Sequence, residues 1–180
     1  MRVVGTFALA LFAACASSNA IPSTVRANES INVSNSTGGV SSTRIAPSVT
    51  TSVVTMNVSL DRVWQALPAV YDSLGIPIAE LDARQHIIGN HGFSVRRRLG
   101  KTALSRYIDC GSSQIGPNAD DYQITMSVLT AARGQGDTTV VTTNVDATGT
   151  GLQFSGQSVR CTSRGELEQR IHALTRELLR

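Results

Sequence analysis

Two long strand-forming runs dominate this chain of 180 residues. Residues 122–131 (YQITMSVLTA) and 138–148 (TTVVTTNVDAT) are rich in Val, Ile, Thr and Tyr and read as two long strands, and Arg133-Gly134-Gln135-Gly136-Asp137 joins them. Runs rich in β-branched residues favour strands, and a glycine-rich link of this length closes a hairpin. The chain is therefore expected to build an antiparallel sheet with one face on a core.

Periodic segments elsewhere supply the partners of that hairpin. Residues 51–58 place Val54, Met56 and Val58 on one face and predict a further strand. Ser59 can cap the helix that follows, whose apolar positions Leu60, Val63, Trp64, Leu67, Val70, Tyr71 and Leu74 are spaced 3, 1, 3, 3, 1 and 3, with Gly75 at its end. Pro68 removes one helical hydrogen bond and predicts a kink or a tightened turn. Trp64 reads as a core anchor. Residues 76–81 and 86–90 flank Asp82-Ala83-Arg84-Gln85 and predict a hairpin. Residues 92–103 (GFSVRRRLGKTA) read as irregular, residues 104–110 (LSRYIDC) as a strand, and residues 158–161 as a short extended segment. Ser163 and Glu166 have the spacing of a capping box, and Leu167, Ile171, Leu174 and Leu178 then form one apolar stripe. The expected fold is α+β: an antiparallel sheet of about five or six strands with two helices on one face, in the order β-α-β-β-β-β-β-α, over residues 48–180.

The N-terminal segment speaks to location. Residues 3–14 (VVGTFALALFAA) follow Arg2 and have the length of a signal-peptide core, short of the roughly 20 residues that span a bilayer. The run ends in Phe12-Ala13-Ala14-Cys15, which resembles the lipobox of bacterial lipoproteins. That resemblance implies acylation of Cys15 after removal of residues 1–14, and Ala16 implies sorting to the outer membrane. Ordinary signal cleavage remains open, because Ala14-Cys15-Ala16 and Ser18-Asn19-Ala20 are both small-x-small patterns. Residues 15–47 are rich in Ser, Thr, Asn, Ala and Gly without either period, and read as a flexible tether. A lipid on Cys15 would hold the domain at the membrane, facing the periplasm.

With Cys15 assigned to lipid, Cys110 and Cys161 remain as an even pair in an oxidising compartment, and a disulfide closing a loop of about 50 residues is expected. A zinc site drawing in His86 and His91 lacks ligand spacing, and no metal is expected.

The unit at residues 60–90 (LDRVWQALPAVYDSLGIPIAELDARQHIIGN), with Trp64 in the helix, Gly75 after it and the hairpin around Asp82, resembles the helix-grip, TBP-like domains of BamC, a lipoprotein of the outer-membrane barrel-assembly machinery. The resemblance covers element order and pattern over about 130 residues. It implies a non-enzymatic, membrane-tethered periplasmic module.

Little in the sequence points to catalysis or to a cofactor. Leu99-Gly100-Lys101-Thr102 resembles the end of a P-loop, but Val95 stands where that motif needs glycine. No G-x-S-x-G is present, and Asp120-Asp121 reads as a solvated turn. The net charge of +3 rests on fifteen arginines and the single Lys101, too small an excess to mark a nucleic-acid binder. The candidate contact is Arg96, Arg97 and Arg98, with Lys101 and Arg106 close behind, since guanidinium groups pair bidentately with carboxylates and phosphates. Two functions are expected to compete. One is an envelope interaction or assembly module meeting a protein complex or anionic lipid. The other is a periplasmic carrier holding a lipid or small apolar ligand between sheet and helix.

Overall fold

The computed structural model describes residues 23–26, 33–34, 40–41, 50–151 and 158–180. In chain order its main elements are β1 (Ser23–Arg26), β2 (Thr50–Met56), α1 (Leu60–Leu74), β3 (Glu80–Asp82), β4 (Ile87–Arg96), α2 (Leu104–Tyr107), β5 (Ile108–Asp109), α3 (Asn118–Asp121), β6 (Gln123–Gln135), β7 (Thr138–Thr150), β8 (Ser158–Ser163) and α4 (Glu166–Leu178). The fold is α+β. The expected hairpin forms its spine, with β6 and β7 paired in unbroken register from Gln123 opposite Thr150 to Gln135 opposite Thr138. Around it the antiparallel strands run β1-β2-β7-β6-β4-β3, while β8 pairs with the end of β7 and with β5. The signal segment, Cys15 and most of the expected tether lie outside the described residues. The fragment Ser23–Arg26 of that tether pairs with β2, Ser23 opposite Val53. Backbone pairing at a sheet edge requires no side-chain pattern, so composition alone gave no sign of it.

One face of the sheet carries the core. Along β7 every second residue is buried, from Thr139 through Val141, Thr143, Val145 and Ala147 to Gly149, and Ile124, Met126, Val128, Thr130 and Ala132 do the same along β6. Both long helices cover this face, α1 through Val63, Leu67, Val70, Tyr71 and Leu74, and α4 through Leu167 and Ile171. Helix α1 runs on through Pro68, and Ser59 occupies the cap position without a side-chain cap bond. Trp64 is half-buried against the core and meets His86 edge-on, with ring centroids 5.4 Å apart.

The departures from expectation have local causes. Strand β4 continues to Arg96 because a bulge near His91 and Gly92 resets its alternation: Ile88 and Asn90 face inward before it, Phe93 and Val95 after it. A strict period of two is lost across such an insertion, which made residues 92–96 read as irregular. The expected strand at 104–110 is instead a single helical turn followed by β5. There the backbone N–H and hydroxyl of Ser105 both donate to the Asp120 carboxylate, at 2.9 and 2.7 Å, and Leu104 and Tyr107 are buried at helical spacing. Asp120 thus fixes a helix rather than sitting in a solvated turn.

The predicted capping box is not formed either. Gly165, at φ 80°, is the cap residue of α4 and has no side-chain cap bond, while the Ser163 hydroxyl donates to Glu168 and accepts from the Gly165 N–H. On α4 the stripe ends early, with Leu174 half-buried and Leu178 56% exposed. Two short helices, α2 and α3, were not anticipated, and the described strands exceed the five or six expected.

Candidate functional site: the arginine hairpin

After Arg96 the chain leaves the sheet and doubles back in a ribbon that pairs Arg98 with Ala103 and Leu99 with Thr102. Three features hold this ribbon in place. Leu99 inserts into the core and is 3% exposed. The Leu104 N–H donates to the Arg97 carbonyl at 2.9 Å. Gly100, at φ 56°, rests on the C-terminal end of α1 so closely that a Cβ there would lie 2.7 Å from the Leu74 carbonyl oxygen, and Gly75 meets Gly100 from the other side.

The fixed ribbon leaves Arg96, Arg97, Arg98 and Lys101 exposed. Among the described residues no carboxylate forms an ion pair with any of the four; Arg98 reaches only the Lys101 carbonyl oxygen, at 3.5 Å. Other arginines are matched: Arg160 with Asp146 at 3.4 Å and Arg164 with Asp109 at 2.9 Å. Arg106, expected to join the cluster, is drawn away to Glu166 at 3.1 Å on the first turn of α4. Arg97 adopts φ 62°, a left-handed conformation that is costly for a side chain with a Cβ and that concentrates at sites with a role. The arrangement suits recognition of carboxylate or phosphate groups by guanidinium forks carried on a held backbone.

Cys110 and Cys161 are joined, with Sγ–Sγ 2.06 Å and Cα–Cα 4.3 Å. They occupy the next rung after Asp109 opposite Thr162 in the β5–β8 ladder, a close antiparallel position that suits a disulfide. Beside them an open cleft of about 420 Å³, lined by Asp109, Thr162, Ser163 and Arg164, adjoins one of about 300 Å³ that reaches Cys110, Gly111 and Pro117. His86 and His91 are apart in role: His86 packs on Trp64, whereas Nε2 of His91 lies 2.6 Å from the Glu80 carboxylate.

A buried polar chain escaped the sequence reading. The Tyr71 hydroxyl lies 3.2 Å from the Ile88 carbonyl oxygen and 2.9 Å from Thr130 Oγ1, which lies 3.0 Å from Thr143 Oγ1, itself 3.1 Å from His172 Nε2. One turn away on α4, Glu168 is fully buried and accepts a 2.7 Å bond from Ser163. Among the described residues, His172 Nδ1 and Glu168 Oε2 have no hydrogen-bond partner. Burial raises the Glu168 pKa, against the opposing effect of the Ser163 bond, and lowers that of His172 from 6.5 to about 4, with the Arg176 charge acting in the same direction. Burial likewise raises the Tyr71 pKa. The spacing of 168, 172 and 175 follows that of the adjacent apolar stripe, and was the available signal of a polar inner face.

Comparison with protein families and with curated proteins finds no match to this chain.

Proposed function

We propose that this protein is a membrane-tethered envelope lipoprotein whose domain serves as a non-enzymatic interaction or assembly module, with the arginine hairpin as its contact surface. Four cations without an ion-pair partner among the described residues, on and beside a ribbon fixed by Leu99 and Gly100, are the observation that carries this reading. A ribbon whose backbone is already held has less to order on meeting an anionic partner, so more of the interaction energy is kept. The space between sheet and helices is filled by Leu67, Val70, Tyr71, Met126 and Ile171, which favours an external contact surface over an internal carrier. The resemblance of the sequence to the helix-grip domains of BamC and to a lipobox around Cys15 supports the proposed place at the periplasmic side of the outer membrane.

The test follows the protein in a Gram-negative host. Palmitate labelling and intact mass should give a mature chain beginning at an acylated Cys15, and Cys15→Ala should release it from membranes. Replacing Arg96, Arg97 and Arg98 together by Glu should leave anchoring intact and abolish salt-sensitive crosslinks to envelope proteins. An unlipidated mature chain overturns the anchor, and crosslinks indifferent to the triple substitution overturn the contact surface.

A further inference from the structure

The sheet has an open edge that leads directly to the arginine hairpin. Strand β3 covers β4 only from Ile87 to Gly89, and the Ala79 N–H adds one more bond to the Gly89 carbonyl. Upstream of Ala79 the chain departs toward Ile76, which is buried at the end of α1. The other side of β4 stays paired with β6 as far as Arg96. Beyond Gly89, therefore, no strand lies on the outer side of β4 among the described residues. Asn90 and Gly92 are served locally, by bonds to the Pro77 carbonyl and to the Asn90 side chain, and the Glu80–His91 pair closes the near end. Among the described residues, 93–96 have no strand on their outer side.

That edge has two chemically distinct faces. Phe93 and Val95 point to the core side and are only partly covered, and Leu81, opposite the buried Ile88, is 57% exposed at the same rim. Ser94 and Arg96 lie on the other face, exposed, and the chain passes from Arg96 straight to Arg97, Arg98 and Lys101. An exposed edge offers unpaired backbone groups in a row, which proteins ordinarily shield and which peptides use for strand addition.

We infer that this edge receives an extended protein segment alternating apolar and acidic residues, which adds as a strand in line with β3, covers Phe93 and Val95, and sets its carboxylates against Arg96 and the hairpin. The inference rests on the reading of the hairpin as the contact surface and specifies the partner. Lipid head groups also carry anionic oxygen, but they supply no backbone to complete a sheet edge and no side chains to cover Phe93 and Val95.

The probe is a capped synthetic octapeptide alternating valine and glutamate, titrated into the folded domain with amide NMR and hydrogen exchange as readouts. Three comparisons accompany it: the same peptide N-methylated at alternate amides, an alternating valine and lysine peptide, and vesicles containing phosphatidylglycerol. The acidic peptide is expected to shift the signals of residues 93–96 and protect the alternate amides among them that do not bond to β6, while N-methylation, lysine, or the substitutions Arg96→Glu and Arg98→Glu each weaken binding by about tenfold or more. Native dispersion of the variant's spectrum establishes that it is folded. Peptide binding that moves the hairpin signals but leaves those alternate amides of 93–96 unprotected overturns strand addition while leaving the hairpin as a contact surface. Binding of vesicles but not of peptide overturns the protein partner. Absence of both interactions overturns the inference and the contact surface together.

Discussion

Thr143 Oγ1 lies 3.1 Å from His172 Nε2, and this contact ties α4 to a row of hydroxyls that crosses the sheet through Thr130 to Tyr71. A buried polar atom deprived of its partner costs about 1–3 kcal/mol, whereas removing both partners in favour of apolar groups of similar shape costs much less. Thr143→Val is therefore expected to lower unfolding free energy by about 1–3 kcal/mol, and combining it with His172→Leu should recover part of that loss. Urea denaturation of the two single variants and the double variant checks the pair. Strictly additive losses would show that Thr143 and His172 are not coupled.

Two buried groups on α4 should impose opposite pH dependences. His172 binds its proton less readily folded than unfolded, so the stability owed to its neutral form is complete above pH 6.5 and is lost as pH falls toward about 4. Glu168 holds its proton more tightly folded than unfolded, so its contribution is complete below the ordinary carboxylate value of 4.5 and declines as pH rises through its raised pKa. His172→Leu is expected to flatten the acid limb of the stability profile, and Glu168→Gln to flatten the decline on the other side. Denaturation midpoints measured from pH 4 to 8 separate them, each group contributing a slope of at most about 1.4 kcal/mol per pH unit. An acid limb unchanged in His172→Leu would place its origin elsewhere.

Reduction of the Cys110–Cys161 bridge, which spans 51 residues of sequence, should cost about 4 kcal/mol through the entropy regained by the unfolded chain. Cys110→Ala with Cys161→Ala is expected to unfold at correspondingly lower denaturant. The local effect should centre on β5, β8 and the start of α4, where Arg164 pairs with Asp109 and its N–H donates to the Tyr107 carbonyl. Hydrogen exchange that loosens equally throughout the sheet would contradict this localisation.

What the sequence disclosed followed the clarity of each pattern. The β6–β7 hairpin stood out as two long β-branched runs around a glycine-rich link and α1 as a long helical repeat, and the Cys110–Cys161 pair because assigning Cys15 to lipid leaves two cysteines over. Strand β4 was half hidden, since the extra residue near His91 and Gly92 moves the inward positions from Ile88 and Asn90 to Phe93 and Val95. The turn Leu104–Tyr107 was hidden because Asp120, fifteen residues away, organises it. At the candidate site the cations Arg96, Arg97, Arg98 and Lys101 were legible as a run of like charge. That Leu99 pins them, and that Arg106 is claimed by Glu166, depends on tertiary contacts no local pattern encodes.

The docking of the hairpin on α1 yields a prediction with an internal control. Gly100 and Gly136 share a left-handed backbone, with φ 56° and 62°, so replacing either by Ala carries the same conformational cost of roughly 1 kcal/mol. They differ in surroundings: nothing lies within 4 Å of a Cβ built on Gly136, whereas one on Gly100 would sit 2.7 Å from the Leu74 carbonyl oxygen, a backbone atom that cannot rotate aside. Gly136→Ala should therefore show the backbone cost alone. Gly100→Ala should lose about 1–3 kcal/mol more, because relief requires the ribbon to lift from α1 and partly withdraw Leu99 from the core. Comparing the denaturation midpoints of the two variants isolates the close approach. The same lifting should raise the exchange rate of the Leu104 amide, whose bond to the Arg97 carbonyl closes the ribbon. Equal losses in the two variants would mean that the hairpin is not fastened through Gly100, and that it is held by Leu99 and the Leu104–Arg97 bond.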